Sequence, residues 1–175
     1  MVHLYTGEGK GKTTAAIGLC IRAAGRGFSV GFSQFMKGND TGELSVLGSL
    51  PGLEILRSDK NFGFYSRMSD ADKLELTGIH NGILDRLLEK AGSGAYQMII
   101  LDELTYPVKW GLLDQDRLKR LLGFGRRGTS GEIELVITGR DASDDLWNRA
   151  DYITEMKCVR HPYQKGISAR RGIEY

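Results

Sequence analysis

The 175-residue sequence predicts one α/β domain, a mostly parallel sheet flanked by helices. Three observations lead there. Short apolar runs alternate with segments of helical periodicity along the chain. A glycine-rich loop, Thr6-Gly7-Glu8-Gly9-Lys10-Gly11-Lys12-Thr13-Thr14, stands between the first apolar run and the first amphipathic one. The wholly apolar run Met98-Ile99-Ile100-Leu101 leads straight into two acids, Asp102 and Glu103.

Val2-His3-Leu4-Tyr5 reads as the first strand, and Ala15-Ala16-Ile17-Gly18-Leu19-Cys20-Ile21 as the helix that follows the loop. Strand, glycine loop and helix in that order make a phosphate cradle. Glycines let backbone N–H groups converge on phosphate oxygens, and the helix N-terminus adds a favourable dipole. The usual spacing, G-x-x-x-x-G-K-[ST], asks for glycine five positions before Gly11; Thr6 stands there, and the glycine has moved to Gly7. In such a cradle Lys12 reaches the outer phosphates and the Thr13 hydroxyl sits on a magnesium ion. The candidate nucleotide-binding residues are therefore Thr6, Gly7, Glu8, Gly9, Lys10, Gly11, Lys12, Thr13 and Thr14.

Ser29-Val30-Gly31-Phe32-Ser33-Gln34-Phe35 reads as a second strand, closed by the polar turn Met36-Lys37-Gly38-Asn39-Asp40, and Leu53-Glu54-Ile55-Leu56 as a short third. A long helix opens at Ser69-Asp70-Ala71-Asp72, which has the spacing of a capping box. Its Leu76, Ile79, Ile83, Leu84, Leu87 and Leu88 fall on one face, and Gly92 stops it. Met98–Leu101 has the unbroken apolarity of a central parallel strand. Ile133–Thr138 and Asp151–Glu155 supply two more strands. Ligands of such sheets bind beyond the carboxyl ends of the strands, which singles out Asp102 and Glu103. Acids there suit magnesium and its bound water, and alternation along a strand would let only one of the two meet the metal directly. Either acid fits that role. Arg140, just past a strand end in Thr138-Gly139-Arg140, is placed for phosphate or ribose.

Composition narrows the class. A chain of 175 residues suits a single domain spanning 1–175, and the net charge of +2 gives no field for nucleic acid or a membrane surface. No apolar run approaches a membrane span and no signal peptide precedes the first strand, so a cytoplasmic enzyme is expected. Cys20 and Cys158 are too few and too far apart for a disulfide framework or a zinc knuckle. The 24 glycines, about twice the usual share, serve turns and ligand approach.

Taken in order, the glycine loop, Gln34-Phe35-Met36-Lys37-Gly38, Thr41-Gly42-Glu43, Leu101-Asp102-Glu103-Leu104-Thr105-Tyr106, Gly111-Leu112-Leu113-Asp114, Val136-Ile137-Thr138-Gly139-Arg140 and His161-Pro162-Tyr163-Gln164-Lys165-Gly166-Ile167 resemble the P-loop ATP:corrinoid adenosyltransferases. The resemblance runs from Tyr5 to Tyr175. It implies a RecA-like P-loop NTPase fold. It also implies an activity: the Co(I) centre of a reduced corrinoid attacks C5′ of ATP, and the whole triphosphate leaves. The resemblance further implies that ATP is held reversed relative to ordinary P-loop proteins. Lys12, Thr13 and Glu103 become the candidate catalytic residues, and Thr13, Asp102 and Glu103 the candidate magnesium ligands.

On the corrinoid side, the resemblance points to Phe64 in Asn61-Phe62-Gly63-Phe64-Tyr65-Ser66 as the residue facing the ring, with core packing of Phe62 and Phe64 as the alternative. His80 lacks the context of a cobalt-ligating motif and is expected to be an exposed or half-buried side chain of the long helix. The basic residues Lys157, Arg160, Lys165, Arg170 and Arg171 read as a solvated terminus, which in the family lies near the nucleotide. The family also implies a homodimer and an external reductant such as a flavoprotein, since the chain shows no redox centre of its own. Two alternatives stand beside this reading. The paired Arg126 and Arg127 in a glycine-rich loop resemble the lid of a small-molecule kinase, and a module that binds adenosylcorrinoid without turnover would need the same residues.

Overall fold

The computed structural model describes residues 1–38, 41–125 and 132–174. Among these residues six strands form one sheet: β1 (Val2–Thr6), β2 (Val30–Gln34), β3 (Leu53–Leu56), β4 (Met98–Asp102), β5 (Glu134–Thr138) and β6 (Tyr152–Glu155). Their spatial order is β3-β2-β4-β5-β1-β6, and every neighbouring pair runs parallel. Each expected strand is present, with ends shifted by at most one residue. The helices are α1 (Lys12–Ala24), α2 (Gly42–Leu47), α3 (Asp70–Gly92), α4 (Thr105–Lys109), α5 (Gln115–Gly123) and α6 (Asp144–Arg149). The kinase-like feature, Arg126 with Arg127, lies outside the described residues. No helix among the described residues is long and apolar enough to cross a membrane.

The strand order positions the site. β5 lies between β4 and β1, so the segments leaving β4, β5 and β1 stand side by side at the carboxyl edge. With neighbouring strands ~4.8 Å apart, side chains of one or two bonds' reach link all three. β2 lies on the other side of β4, which brings the turn after Gln34 to the same edge.

Alternation along the strands builds two cores. Leu4, Ile99, Leu101, Leu135 and Ile137 face α3 and α5, meeting Leu84, Leu87, Leu118 and Leu121. Val30, Phe32, Met98, Ile100 and Val136 face the other way, onto Ala16, Cys20 and Ala23 of α1. The small residues let α1 lie close to the sheet, which keeps its first turn near the strand ends. Both cysteines are free; burial pushes the Cys20 thiol up to about 11.

α3 begins as its sequence requires. Ser69 Oγ accepts from the Asp72 N–H at 3.1 Å and Asp72 Oδ2 accepts from the Ser69 N–H at 2.9 Å, a reciprocal capping box. Its buried stripe holds one residue placed wrongly by the sequence reading. His80 is neither exposed nor half-buried; it is 1% exposed, one turn beyond Leu76 and one before Leu84 on the apolar face. Its Nδ1–H donates to the Leu112 carbonyl at 2.8 Å, which makes burial tolerable, and its ring tilts against Phe35.

Burial holds the His80 pKa below its ordinary 6.5, against a smaller opposing pull from the Leu112 carbonyl. An unfolded chain therefore takes up a proton at this residue before the folded one does, and stability falls as pH drops through and below about 6.5. A His80→Asn variant, which keeps a donor for Leu112, is expected to lose part of that slope. Melting temperatures measured from pH 7.5 down to pH 5.5 check it; equal slopes for the two proteins would contradict it.

Candidate active site

The cradle closes against β6. Gly7 and Gly11 take positive φ, 96° and 113°, which side chains resist. The Gly9 N–H donates to the Met156 carbonyl at 2.6 Å and the Met156 N–H to the Thr6 carbonyl at 2.8 Å. A Cβ on Gly7 or Gly9 would lie 2.6 Å from the Met156 oxygen. The displaced glycine is explained by these contacts. Thr6 is still strand, pairing with Glu155 and 4% exposed, and the turn begins one residue later at Gly7.

Lys12 Nζ donates to the carbonyls of Gly7 and Gly9, both at 2.7 Å, so its charge sits at the centre of the loop. Burial, and then Arg140, hold its pKa below the usual lysine range. Gly11 caps α1 without a side chain, leaving the first-turn amides of that helix for an anion. Across the mouth, Arg140 donates to Glu8 Oε2 at 2.9 Å, with both side chains partly exposed. Lys10 and Thr14 lie exposed along the rim.

Asp102 ends β4 and is fully buried. Its Oδ1 accepts from Thr13 Oγ1 at 2.8 Å and from Thr138 Oγ1 at 2.7 Å. Its Oδ2 accepts from Lys37 Nζ at 2.7 Å and, longer, from Gln34 Nε2 at 3.4 Å. Gln34 is itself held by Arg57 at 3.1 Å. Cradle, β5 and the turn after β2 thus converge on one carboxylate.

Glu103 departs from strand geometry. The strand stops at Asp102, and Glu103 takes φ 60°, a conformation that costs a non-glycine residue ~1 kcal/mol or more. Its N–H donates to Thr138 Oγ1 at 2.9 Å, which fixes the turn. Among the described residues its carboxylate makes no hydrogen bond or ion pair. Burial, then the charge of Asp102, push its pKa above the usual glutamate range, against the pull of Lys37, Lys12 and Arg140. The two acids therefore differ in kind, one saturated with donors and the other free.

Two cavities share this edge. One of about 320 Å³ is lined by Gly9 to Thr14 with Lys37, Glu103, Tyr106 and Arg140. The other, about 630 Å³, is lined by Met36, Lys37, Phe64, Tyr65, Tyr106 and Trp110, and again by Glu103. Trp110 stacks on Tyr65 at 4.4 Å and on Tyr106 at 5.2 Å, giving that wall a flat apolar surface. Phe64 stands 77% exposed on it, whereas Phe62 packs against the small core around Met68 and Leu76. Core packing thus applies to Phe62 and not to Phe64. A third cavity of about 690 Å³ lies between the Glu8–Arg140 pair and the segment from Cys158 to Glu174. The terminal segment folds back over the cradle, but the residues it brings there are His161, Ile173 and Glu174, and Arg170 is paired with Glu174 at 3.1 Å.

The sequence reading brought Lys12, Thr13, Asp102, Glu103 and Arg140 to one site, and the structure places them around one edge. It gave no role to Lys37, Thr138, Tyr106 or Trp110. Thr138 and Lys37 carried only a partial signal, since each stands at or just past the carboxyl end of an expected strand, where ligands of such sheets bind.

Comparison with known proteins agrees in extent. The family described as ATP:corrinoid adenosyltransferase BtuR/CobO/CobP matches residues 1–175. Corrinoid adenosyltransferase CobA of Salmonella typhimurium is 33% identical over 180 residues, covering 100% of this chain and 85% of that protein. The corrinoid adenosyltransferase of Escherichia coli K12 is 31% identical over 176 residues, with the same coverage of each. Among solved structures, EssC (ATPases 2 and 3) from Geobacillus thermodenitrificans superimposes with a TM-score of 0.53 over 99% of this chain and 36% of that one. At 15% identity that likeness speaks for the P-loop ATPase fold alone. Matched along its whole length by the family and by relatives of the same activity, the chain belongs to the ATP:corrinoid adenosyltransferases.

Proposed function

We propose that this chain transfers the 5′-deoxyadenosyl group of ATP to the Co(I) centre of a reduced corrinoid, with the cradle holding the leaving triphosphate and the aromatic wall facing the corrinoid. The observation that carries this arrangement is the shared border of the two cavities. Lys37, Glu103 and Tyr106 line both, so a nucleotide in one abuts a flat apolar molecule in the other.

The step is a displacement at carbon. The electron pair of Co(I) forms a cobalt–carbon bond to C5′, the C5′–O bond breaks, and that bond's pair leaves on triphosphate. No proton is removed from the nucleophile, so Glu103 needs no role as a base despite its raised pKa. The chemical demand falls on the leaving group. Lys12, the open amides at the start of α1, and Arg140 once released from Glu8 offset the charge that builds there.

The residues present fit a magnesium ion. Among the described residues no three of His, Cys, Asp and Glu form a cage of their own, so an ion here completes its shell with phosphate oxygens and water. Thr13 Oγ1 and the free carboxylate of Glu103 are the direct donors in this proposal. Asp102, already accepting four donors, orients the Thr13 hydroxyl and bound water. Magnesium, when bound, neutralises phosphate charge. The electrons that produce Co(I) come from an external reductant such as a flavoprotein, and a homodimer is the assembly the family leads us to expect.

Phe64→Ala tests the division of labour. Corrinoid KM is expected to rise about tenfold, with kcat lowered and ATP affinity within twofold of the parent, because Phe64 touches the wall and not the cradle. Unchanged kinetics toward both substrates, or an equal loss for ATP, would contradict the assignment.

A further inference from the structure

Lys37 occupies a position that the activity alone does not call for. Its ammonium lies 2.7 Å from Asp102 Oδ2 and 3.3 Å from Thr13 Oγ1, and so sits on the same two side chains that the preceding proposal uses to position magnesium. Asp102 is fully buried and Lys37 three-quarters so. Glu103 and Glu43 add attraction from two further segments, so the ammonium is the local counter-ion of an acidic corner.

We propose that Lys37 holds the metal seat in the nucleotide-free protein and makes metal binding conditional on ATP. This rests on the placement of the metal at Thr13 and Glu103, with Asp102 orienting the Thr13 hydroxyl. A divalent ion arriving alone meets a positive charge already hydrogen-bonded to Thr13 and to the Asp102 carboxylate that orients it, and must displace that charge with nothing to receive it. Triphosphate changes both terms. It brings oxygens that complete the metal's shell, and it offers Lys37 new anionic partners, since Lys37 borders the cradle cavity as well as the corrinoid-side one. Lys37 is thus a positioning residue that passes from carboxylate to phosphate as the metal enters. The arrangement keeps the buried carboxylate compensated at every stage, and it disfavours loading with metal before nucleotide.

The test uses Mn²⁺ as the probe, followed by electron paramagnetic resonance without corrinoid, so that no turnover occurs. Wild-type protein should bind Mn²⁺ weakly without ATP. Lys37→Met should bind it about tenfold more tightly or better, and Lys37→Arg, which keeps the charge, should not. With ATP present, wild type and Lys37→Met should differ by less than about threefold. An Mn²⁺ affinity for Lys37→Met equal to wild type in the absence of ATP overturns the proposal. If in that case Thr13→Ala still weakens Mn²⁺ binding in the ATP complex, the metal placement stands and only the role of Lys37 fails. If Thr13→Ala has no effect there, the metal placement itself fails. Should Lys37→Met not fold, wild type alone decides. Mg²⁺ without ATP should leave its melting temperature unmoved, and a shift as large as that produced with ATP overturns the idea.

Discussion

Lys12→Ala is expected to lower kcat/KM by about a thousandfold or more while leaving the protein folded. The ammonium sits inside the loop, and its partners are two carbonyls of that same loop, Gly7 and Gly9. Removing it takes away the cation that the proposed mechanism sets against the departing triphosphate and opens no core, because Lys12 belongs to neither of the two large apolar clusters. Lys12→Arg should not restore activity. Two carbonyl contacts at 2.7 Å define a seat for a compact ammonium, and a planar guanidinium cannot enter it without moving Gly7 and Gly9, which already press on Met156. Turnover assays and a thermal melt of the two variants check this. Retained activity in Lys12→Ala would remove the cradle from the mechanism.

Asp102→Asn is expected to damage both stability and catalysis. Its carboxylate accepts from Thr13, Thr138, Lys37 and Gln34, and an amide can serve at most the two hydroxyls while turning an N–H₂ towards Lys37. The Lys37 charge is left without its partner in a largely buried place. Breaking such a pair costs ~3 kcal/mol or more. In a chain of 175 residues that lowers the melting temperature by roughly 6–12 °C. The magnesium concentration needed for half-maximal rate should rise as well. The double variant Lys37→Met, Asp102→Asn should regain much of the lost stability, because no unpaired charge remains.

Glu103→Gln separates the two acids. It should raise the metal requirement without the loss in stability. A carboxylate whose pKa is raised by burial loses stability as pH rises through that pKa, so the neutral amide should match or exceed the parent at neutral pH. A large drop in melting temperature for Glu103→Gln, or none for Asp102→Asn, would show that the roles are exchanged.

The sheet was legible because parallel strands buried on both faces are unbroken apolar runs, as in Met98–Leu101, and because α3 carries its own start signal in Ser69 and Asp72. The cradle was legible as a local motif, although its shifted glycine made sense only once Met156, about 150 residues away, was seen against it. What stayed hidden depended on strand order. Nothing in the sequence says that β5 inserts between β4 and β1, and that insertion is what makes Thr138 a partner of Asp102. Lys37 was read as one residue of a polar turn, because its importance comes from β2 lying beside β4. His80 was misplaced for a different reason. A polar side chain on an amphipathic helix reads as solvent-facing unless the distant acceptor of its N–H, here the Leu112 carbonyl, is known.

The central claim is that the whole triphosphate departs when carbon 5′ is attacked. Anaerobic incubation of the protein with ATP, magnesium and chemically reduced cobalamin, or cobinamide, tests it most directly, with the visible spectrum and tripolyphosphate followed together. A light-sensitive adenosylcorrinoid formed in equal amount with tripolyphosphate is the predicted result. Release of ADP, or no spectral change with either corrinoid, would contradict it.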